Sequence, residues 1–223
     1  MNQERILQGR AQAGVLQTNK VLRNTYMLLS LTLLFSAVTA GIAMALQVGM
    51  AGYWIAFIGG FVTLLALPRF ANSSTGIALV FLFTGLLGFA LGPILNLYLT
   101  MFTNGGQIVM MALGGTGVIF LGLSGYALTT KKDFSFLQGF LMVGILLAVV
   151  ASFATLFFHV PVFSLAISGV FVLLMSGMIL FQTSQIIHGG ETNYIMATVN
   201  LYVALYNLFL SLLRILAAFA GNR

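Results

Sequence analysis

Seven long apolar runs dominate this chain and leave little choice of architecture. Most of them approach the roughly 20 residues that an α-helix needs to cross about 30 Å of hydrocarbon. The runs cover residues 25–46, 53–67, 76–98, 108–128, 137–158, 163–187 and 194–218. The second run is the shortest, and we expect it to take in residues 48–52 to complete its span. We therefore predict an all-α membrane protein with seven transmembrane helices.

Composition supports the same conclusion and excludes a soluble domain. The chain is 60% hydrophobic and only 5% charged, whereas soluble proteins carry roughly 25% charged residues. Its formal net charge of +6 comes from nine basic residues, most of them at the ends of apolar runs. No basic stretch is long enough to follow a phosphate backbone, so we expect no nucleic-acid partner. The lipid bilayer is the surrounding medium that this composition requires.

The basic residues predict which end of each run faces the cytoplasm. Residues 1–24 carry four of them, the loop after the second run carries Arg69, and the loop after the fourth carries Lys131 and Lys132. The loops after the first, third and fifth runs carry none. Positive charge is retained on the cytoplasmic side. We predict a cytoplasmic basic tail at 1–24 and a seven-helix transmembrane domain at 25–223, whose C-terminus, ending at Arg223, lies on the outer side.

The seventh run carries a polar stripe at helical spacing. Asn193, Asn200, Asn207 and Arg214 recur every seven residues, and Ser211 continues the same face four positions after Asn207. A polar stripe facing lipid is costly, so we predict that this face points into the bundle and that the last helix is central. The stripe has two readings, a polar pathway or a set of interhelical amide hydrogen bonds, and we favour the second. Arg214 is expected to reach the outer interface by snorkelling.

Small residues and one proline predict how other helices pack. Gly88 and Gly92 form a G-x-x-x-G pattern in the third run, and Ala37, Gly41 and Ala45 repeat that spacing in the first. Such residues allow close approach of helices in lipid. Pro93 follows Gly92 directly and is expected to kink the third helix.

The chain lacks the side chains that catalysis or metal binding would require. Its three acids are Glu4, Asp133 and Glu191, and none lies within an apolar run. The two histidines, His159 and His188, are at run ends on opposite sides of the predicted membrane. No metalloprotease, serine-hydrolase or phosphate-loop motif is present. We therefore expect no enzymatic activity, no metal site and no cofactor.

The last two runs contain stretches that resemble the Bax inhibitor-1 family. They are residues 181–194 (FQTSQIIHGGETNY), 201–209 (LYVALYNLF) and 212–216 (LLRIL). The resemblance implies a seven-helix fold with the last helix in the centre and the tail inside. It also implies, for many members, a pH-sensitive calcium leak in which two aspartates are latched by an arginine.

The latch does not carry over to this chain intact. The matching positions are Gln182, Ala204 and Arg69, so both acids are replaced. Neither an amide nor a methyl group titrates, and the proton-gated latch is not expected to operate in that form. The alternative function is a pH-dependent calcium or ion leak along the stripe.

Three further stretches resemble one bacterial branch of this family, which is associated with the membrane-anchored ATP-dependent protease FtsH. They are residues 20–26 (KVLRNTY), 92–96 (GPILN) and 128–133 (LTTKKD). The branch implies a non-enzymatic protein of the bacterial inner membrane, with a periplasmic C-terminus, that binds and restrains FtsH. The docking face would be formed by Arg69, Lys131, Lys132, Asp133, His188 and Glu191. The tail would be either a flexible segment that the protease grips or only a topology signal.

Overall fold

The computed structural model describes residues 2–155 and 161–220, and these ranges form seven α-helices without a strand. The helices are α1 (Asn2–Ala45), α2 (Met50–Phe70), α3 (Ser74–Met101), α4 (Gly105–Thr130), α5 (Leu137–Ala154), α6 (Pro161–Ile187) and α7 (Tyr194–Ala220). Helices satisfy their backbone hydrogen bonds internally, which is what a segment in hydrocarbon requires. The predicted all-helical fold is confirmed.

Six of these helices are long and apolar enough to cross a membrane. The exception is α5, whose apolar part, Leu137–Phe153, is shorter. Part of the fifth predicted run, residues 156–158, lies outside the described residues, as do His159 and Arg223. A seventh span and the orientation of the bundle therefore stay predictions.

The N-terminal tail is continuous with the first helix. Helix α1 begins at Asn2 and continues to Ala45 without a break at the boundary predicted between residues 24 and 25. The part of it that qualifies as a membrane span is Thr18–Ala45. The polar tail thus extends the first membrane helix at one end.

Helix α7 lies inside the bundle. It packs against α1, α3, α4 and α6, and 14 of its 27 residues are buried. Leu201, Leu208 and Leu213 on this helix are completely buried. An isolated apolar helix could leave such side chains in lipid, so their burial reflects packing against neighbours on several sides.

The G-x-x-x-G pattern of α3 lies against the backbone of α1. A Cβ atom at Gly88 would overlap the Ser36 carbonyl oxygen and the Thr39 hydroxyl. One at Gly92 would lie against Ala43 and 3.1 Å from the Ala40 carbonyl oxygen. The backbones of the two helices therefore meet at positions that only glycine fits.

Two other packing expectations have different outcomes. Pro93 is buried within α3, which continues unbroken past it to Met101, and the kink there stays a prediction. The second small-residue pattern is unused by the helices described, since Ala37, Gly41 and Ala45 are all exposed.

Replacing Gly88 by alanine tests the α1–α3 contact. Overpacking of a close-fitting interior costs about 1–3 kcal/mol, so we expect Gly88→Ala to lower the thermal unfolding midpoint of the detergent-solubilised protein. Gly114→Ala on α4 is the matched control, because nothing lies within 4 Å of a Cβ atom there. Equal midpoints for the two variants would contradict the close contact.

Candidate docking face and latch positions

Three loops meet at one end of the bundle, which we name the basic end. They are residues 71–73 between α2 and α3, residues 131–136 between α4 and α5, and residues 188–193 between α6 and α7. The last of these loops is hydrogen-bonded to both of the others. The basic end is therefore one connected surface.

Asn193 makes the first of these connections. Its Nδ2 donates to the Ala71 carbonyl oxygen at 2.9 Å and to Oδ1 of Asn72 at 2.7 Å. Its Oδ1 accepts from the backbone N–H groups of Ile195 at 2.9 Å and Met196 at 3.1 Å. Asn193 therefore caps the N-terminus of α7 and holds that helix end against the α2–α3 loop.

Ser184 and His188 make the second connection, to the α4–α5 loop. The Ser184 hydroxyl accepts from the Phe134 N–H at 3.0 Å and donates to the Lys132 carbonyl oxygen at 3.3 Å. Nε2 of His188 is 3.1 Å from the Lys131 carbonyl oxygen, and its Nδ1 is 2.9 Å from that of Ser184. The His188 ring thus lies between the end of α6 and the α4–α5 loop and contacts both.

The charged side chains of this end face solvent while their backbone is held in place. Arg69, Lys131, Lys132 and Asp133 are all exposed. The Ser135 N–H donates to the Asp133 carboxylate at 2.8 Å. This bond, with smaller contributions from the Ser135 hydroxyl and the nearby His188, holds the pKa of Asp133 below its usual range. Asp133 thus stays ionised beside two lysines.

Glu191, the remaining residue predicted for docking, has an internal role. Its Oε1 accepts from the Asn193 N–H at 2.8 Å, and the side chain is half-buried. It therefore supports the turn that precedes α7, and only part of it is accessible to a partner.

The three latch positions lie in different environments. Gln182 on α6 is buried and Ala204 on α7 is completely buried, whereas Arg69 at the end of α2 is exposed. The two interior positions therefore bring no carboxylate into the bundle, and the arginine is not buried with them. Within the described ranges, no group of three or more His, Asp or Glu side chains is placed to hold a metal ion.

The rest of the α7 stripe makes few contacts between helices. Asn207 donates from Nδ2 to the Val203 carbonyl oxygen of its own helix at 2.8 Å. Asn200 is half-buried and Ser211 is buried. Arg214 is exposed and donates to the Ser168 hydroxyl of α6 at 3.4 Å. The amide bonds that the stripe makes therefore join two loops at Asn193 and run along α7 at Asn207.

Hydroxyl groups outside the polar stripe, which the sequence did not single out, join the helices instead. The Tyr202 hydroxyl on α7 lies 2.7 Å from that of Ser36 on α1 and donates to the Thr84 carbonyl oxygen of α3 at 3.2 Å. Tyr26 on α1 similarly contacts the Thr183 hydroxyl of α6 at 3.2 Å. The available signal was a tyrosine in the middle of a central apolar run, because its hydroxyl needs a partner away from water.

Comparison with known proteins assigns the fold to a family. Residues 18–221 match the family described as inhibitor of apoptosis-promoting Bax1. The chain belongs to the Bax inhibitor-1 family. This membership agrees with the resemblance inferred from residues 181–216, and the match includes all six long membrane helices.

Several relatives of this Bax inhibitor-1 family member match along nearly their whole length. It is 52% identical to the modulator of FtsH protease YccA of Escherichia coli K12, over 92% of this chain and 93% of the relative. The same values hold for the inner membrane protein YccA of Escherichia coli O6:H1. An uncharacterized membrane protein of Vibrio cholerae is 48% identical over 93% of each chain. With its six long apolar helices, the chain is a multi-pass inner membrane protein.

Two substitutions at Asn193 separate its role as the cap of α7 from its role as the hydrogen-bond link to the α2–α3 loop. Asn193→Ala removes both, and loss of a cap costs about 0.5–2 kcal/mol, so we expect a lower thermal midpoint in detergent. Asn193→Asp keeps the acceptor for the α7 N-terminus but loses the donor to the α2–α3 loop, and should give a smaller decrease. Asn200→Ala, on the same helix, is the control. An Asn193→Asp protein with a thermal midpoint as low as that of Asn193→Ala would show that the link to the α2–α3 loop contributes more to stability than the cap.

Proposed function

We propose that this protein binds and modulates a membrane-anchored ATP-dependent protease of the FtsH type, without catalysing a reaction itself. The observation that carries the proposal is the 52% identity, over 92% of the chain, to a protein named as a modulator of that protease. The matched region covers 205 residues and therefore includes loops as well as apolar helices.

The basic end supplies a surface suited to such a partner. Its three loops are hydrogen-bonded to one another through Asn193, Ser184 and His188, so a docking protein meets a preformed face. Exposed Lys131, Lys132 and Asp133 provide charges of both signs. We further propose that this end is cytoplasmic, because the loops at the opposite end contain no lysine or arginine. The ATPase of such a protease would then lie on the same side.

The centre of the bundle supports binding rather than proton-gated conduction. Gln182 and Ala204 fill the two interior latch positions, and neither side chain exchanges a proton in the physiological range. A modulator that acts by contact requires no titrating group there. The restraint on the protease would be exerted through the docking face.

Charge neutralisation at the basic end tests the proposed docking face. Lys131→Gln combined with Lys132→Gln should weaken recovery of the protease from detergent extracts about twofold to 30-fold, since each exposed charge pair contributes roughly 0.2–1 kcal/mol. Arg214→Gln at the opposite end is the control and should leave recovery unchanged. Failure of the unaltered protein to recover any protease would contradict the proposal, as would normal turnover of protease substrates when it is overproduced.

Truncation tests whether the N-terminal segment is a handle for the protease. Residues 2–16 belong to α1, so a protease that pulls from this end must first unwind helix. Deleting them should slow turnover of the protein itself if the segment is gripped. Unchanged turnover, with a reporter fused to the C-terminus showing the same orientation, would contradict a role as a handle.

Flux measurements test the absence of a proton-gated leak. Proteoliposomes containing the unaltered protein should show no calcium flux that changes between about pH 5 and pH 8. The double variant Gln182→Asp/Ala204→Asp introduces two carboxylates at the latch positions and should make any flux depend on pH. A pH-dependent flux in the unaltered protein would contradict our reading of these positions.

A further inference from the structure

A cavity of about 440 Å³ lies between α1 and α4, with α3 and α7 behind it. Its volume falls in the range of roughly 300–1,000 Å³ that is typical of ligand sites. Leu33, Gly41 and Met44 line it from α1, and Leu113 and Gly117 line it from α4. It is distinct from the basic end, because none of the residues of the three loops lines it.

The sequence explains why α1 and α4 separate here. The two helices touch where Tyr26 stacks on Phe120, with ring centroids 5.8 Å apart. Beyond that contact both walls carry glycine: nothing lies within 4 Å of a Cβ atom at Gly41 or at Gly117. Because α3 holds α1 through Gly88 and Gly92, α1 does not shift to close the gap. A cleft therefore opens sideways, within the apolar part of both helices.

Of the hydroxyl groups on its walls, those of Ser36, Tyr202 and Thr116 are hydrogen-bonded within the protein, and that of Tyr206 is the remaining polar group. The Ser36 hydroxyl is paired with that of Tyr202 at 2.7 Å, and the Thr116 hydroxyl donates to the Ala112 carbonyl oxygen at 2.7 Å. The lining residues include no charged side chain. The occupant is therefore apolar along the length that enters the cleft.

The dimensions of the cleft favour an extended chain over a whole helix. Its α1 wall runs from Leu33 to Met44, which is about 16 Å at roughly 1.5 Å per residue. A helix of this length, about 10–12 Å in diameter, occupies roughly 1,300–1,900 Å³, which exceeds the space between the walls. A whole helix therefore does not enter the cleft, whereas an extended hydrocarbon chain does.

We propose that this cleft binds a single acyl chain of a bilayer lipid, which enters from the side between α1 and α4. The surrounding bilayer supplies such chains at every point of the opening. Because the walls carry no charge, the site selects for the chain and leaves the headgroup outside the bundle. The bound chain fills the gap between the two helices beyond the Tyr26–Phe120 stack.

Photolabelling with a matched pair of leucine variants tests the proposal. The protein is reconstituted with phosphatidylglycerol that carries a photoactivatable diazirine in its acyl chain, and labelled peptides are identified by mass spectrometry. Gly117→Leu fills the cleft, whereas Gly114→Leu makes the same change on the lipid-facing side of α4, where space is also open. We expect label at residues 33–44 and 109–120 to fall severalfold in Gly117→Leu and to persist in Gly114→Leu.

A second variant that fills the cleft and a measurement of stability distinguish loss of the lipid site from misfolding. Gly41→Leu narrows the cleft from the opposite wall and should reduce the label in the same two segments. The thermal midpoints of all variants identify any that fail to fold. Equal labelling of the folded Gly117→Leu and Gly114→Leu proteins would overturn the proposal. So would labelling spread evenly over the lipid-facing helices, or a crosslink to a second polypeptide at residues 33–44.

Discussion

In lipid no hydrophobic driving force brings helices together, so the bundle depends on close contacts and on hydrogen bonds between its helices. Gly88 and Gly92 of α3 provide the closest contact, where α1 lies against their backbone. The hydroxyl of Tyr202 then joins α7 to both of these helices. Three helices are thereby held together by atoms that a hydropathy pattern does not distinguish.

The same contacts decide where the bundle stays open. Helix α1 uses the face of Ser36, Ala40 and Ala43 against α3, which leaves Ala37 and Gly41 on the side toward α4. The proposed acyl-chain cleft follows from that choice of face. At the basic end, hydrogen bonds from Asn193, Ser184 and His188 join the three loops. The side chains of Lys131 and Lys132 are exposed there and can contact a partner.

Much of the fold and part of the candidate site could be predicted before the structure. The seven apolar runs correctly indicated the seven described helices, six of which are long enough to span a membrane, but they placed the shortest helix second, whereas α5 is the shortest. The positions Gln182 and Ala204 indicated an interior without carboxylates, and both are buried. The stripe on α7 was less informative, because an asparagine side chain bonds within its own helix, as Asn207 does, as readily as with a neighbour.

The sequence by itself determined the membrane class, the family and the absence of acids from the apolar runs, because these depend on residue type and on order along the chain. The tertiary structure decided which small residues are used in packing, which hydroxyls meet, and that the three basic-end loops form one face. It also decided that Gly88 is enclosed while Gly41 faces open space. The physical reason is that both glycines have the same local pattern, and only the neighbouring helix distinguishes a packed surface from a cleft.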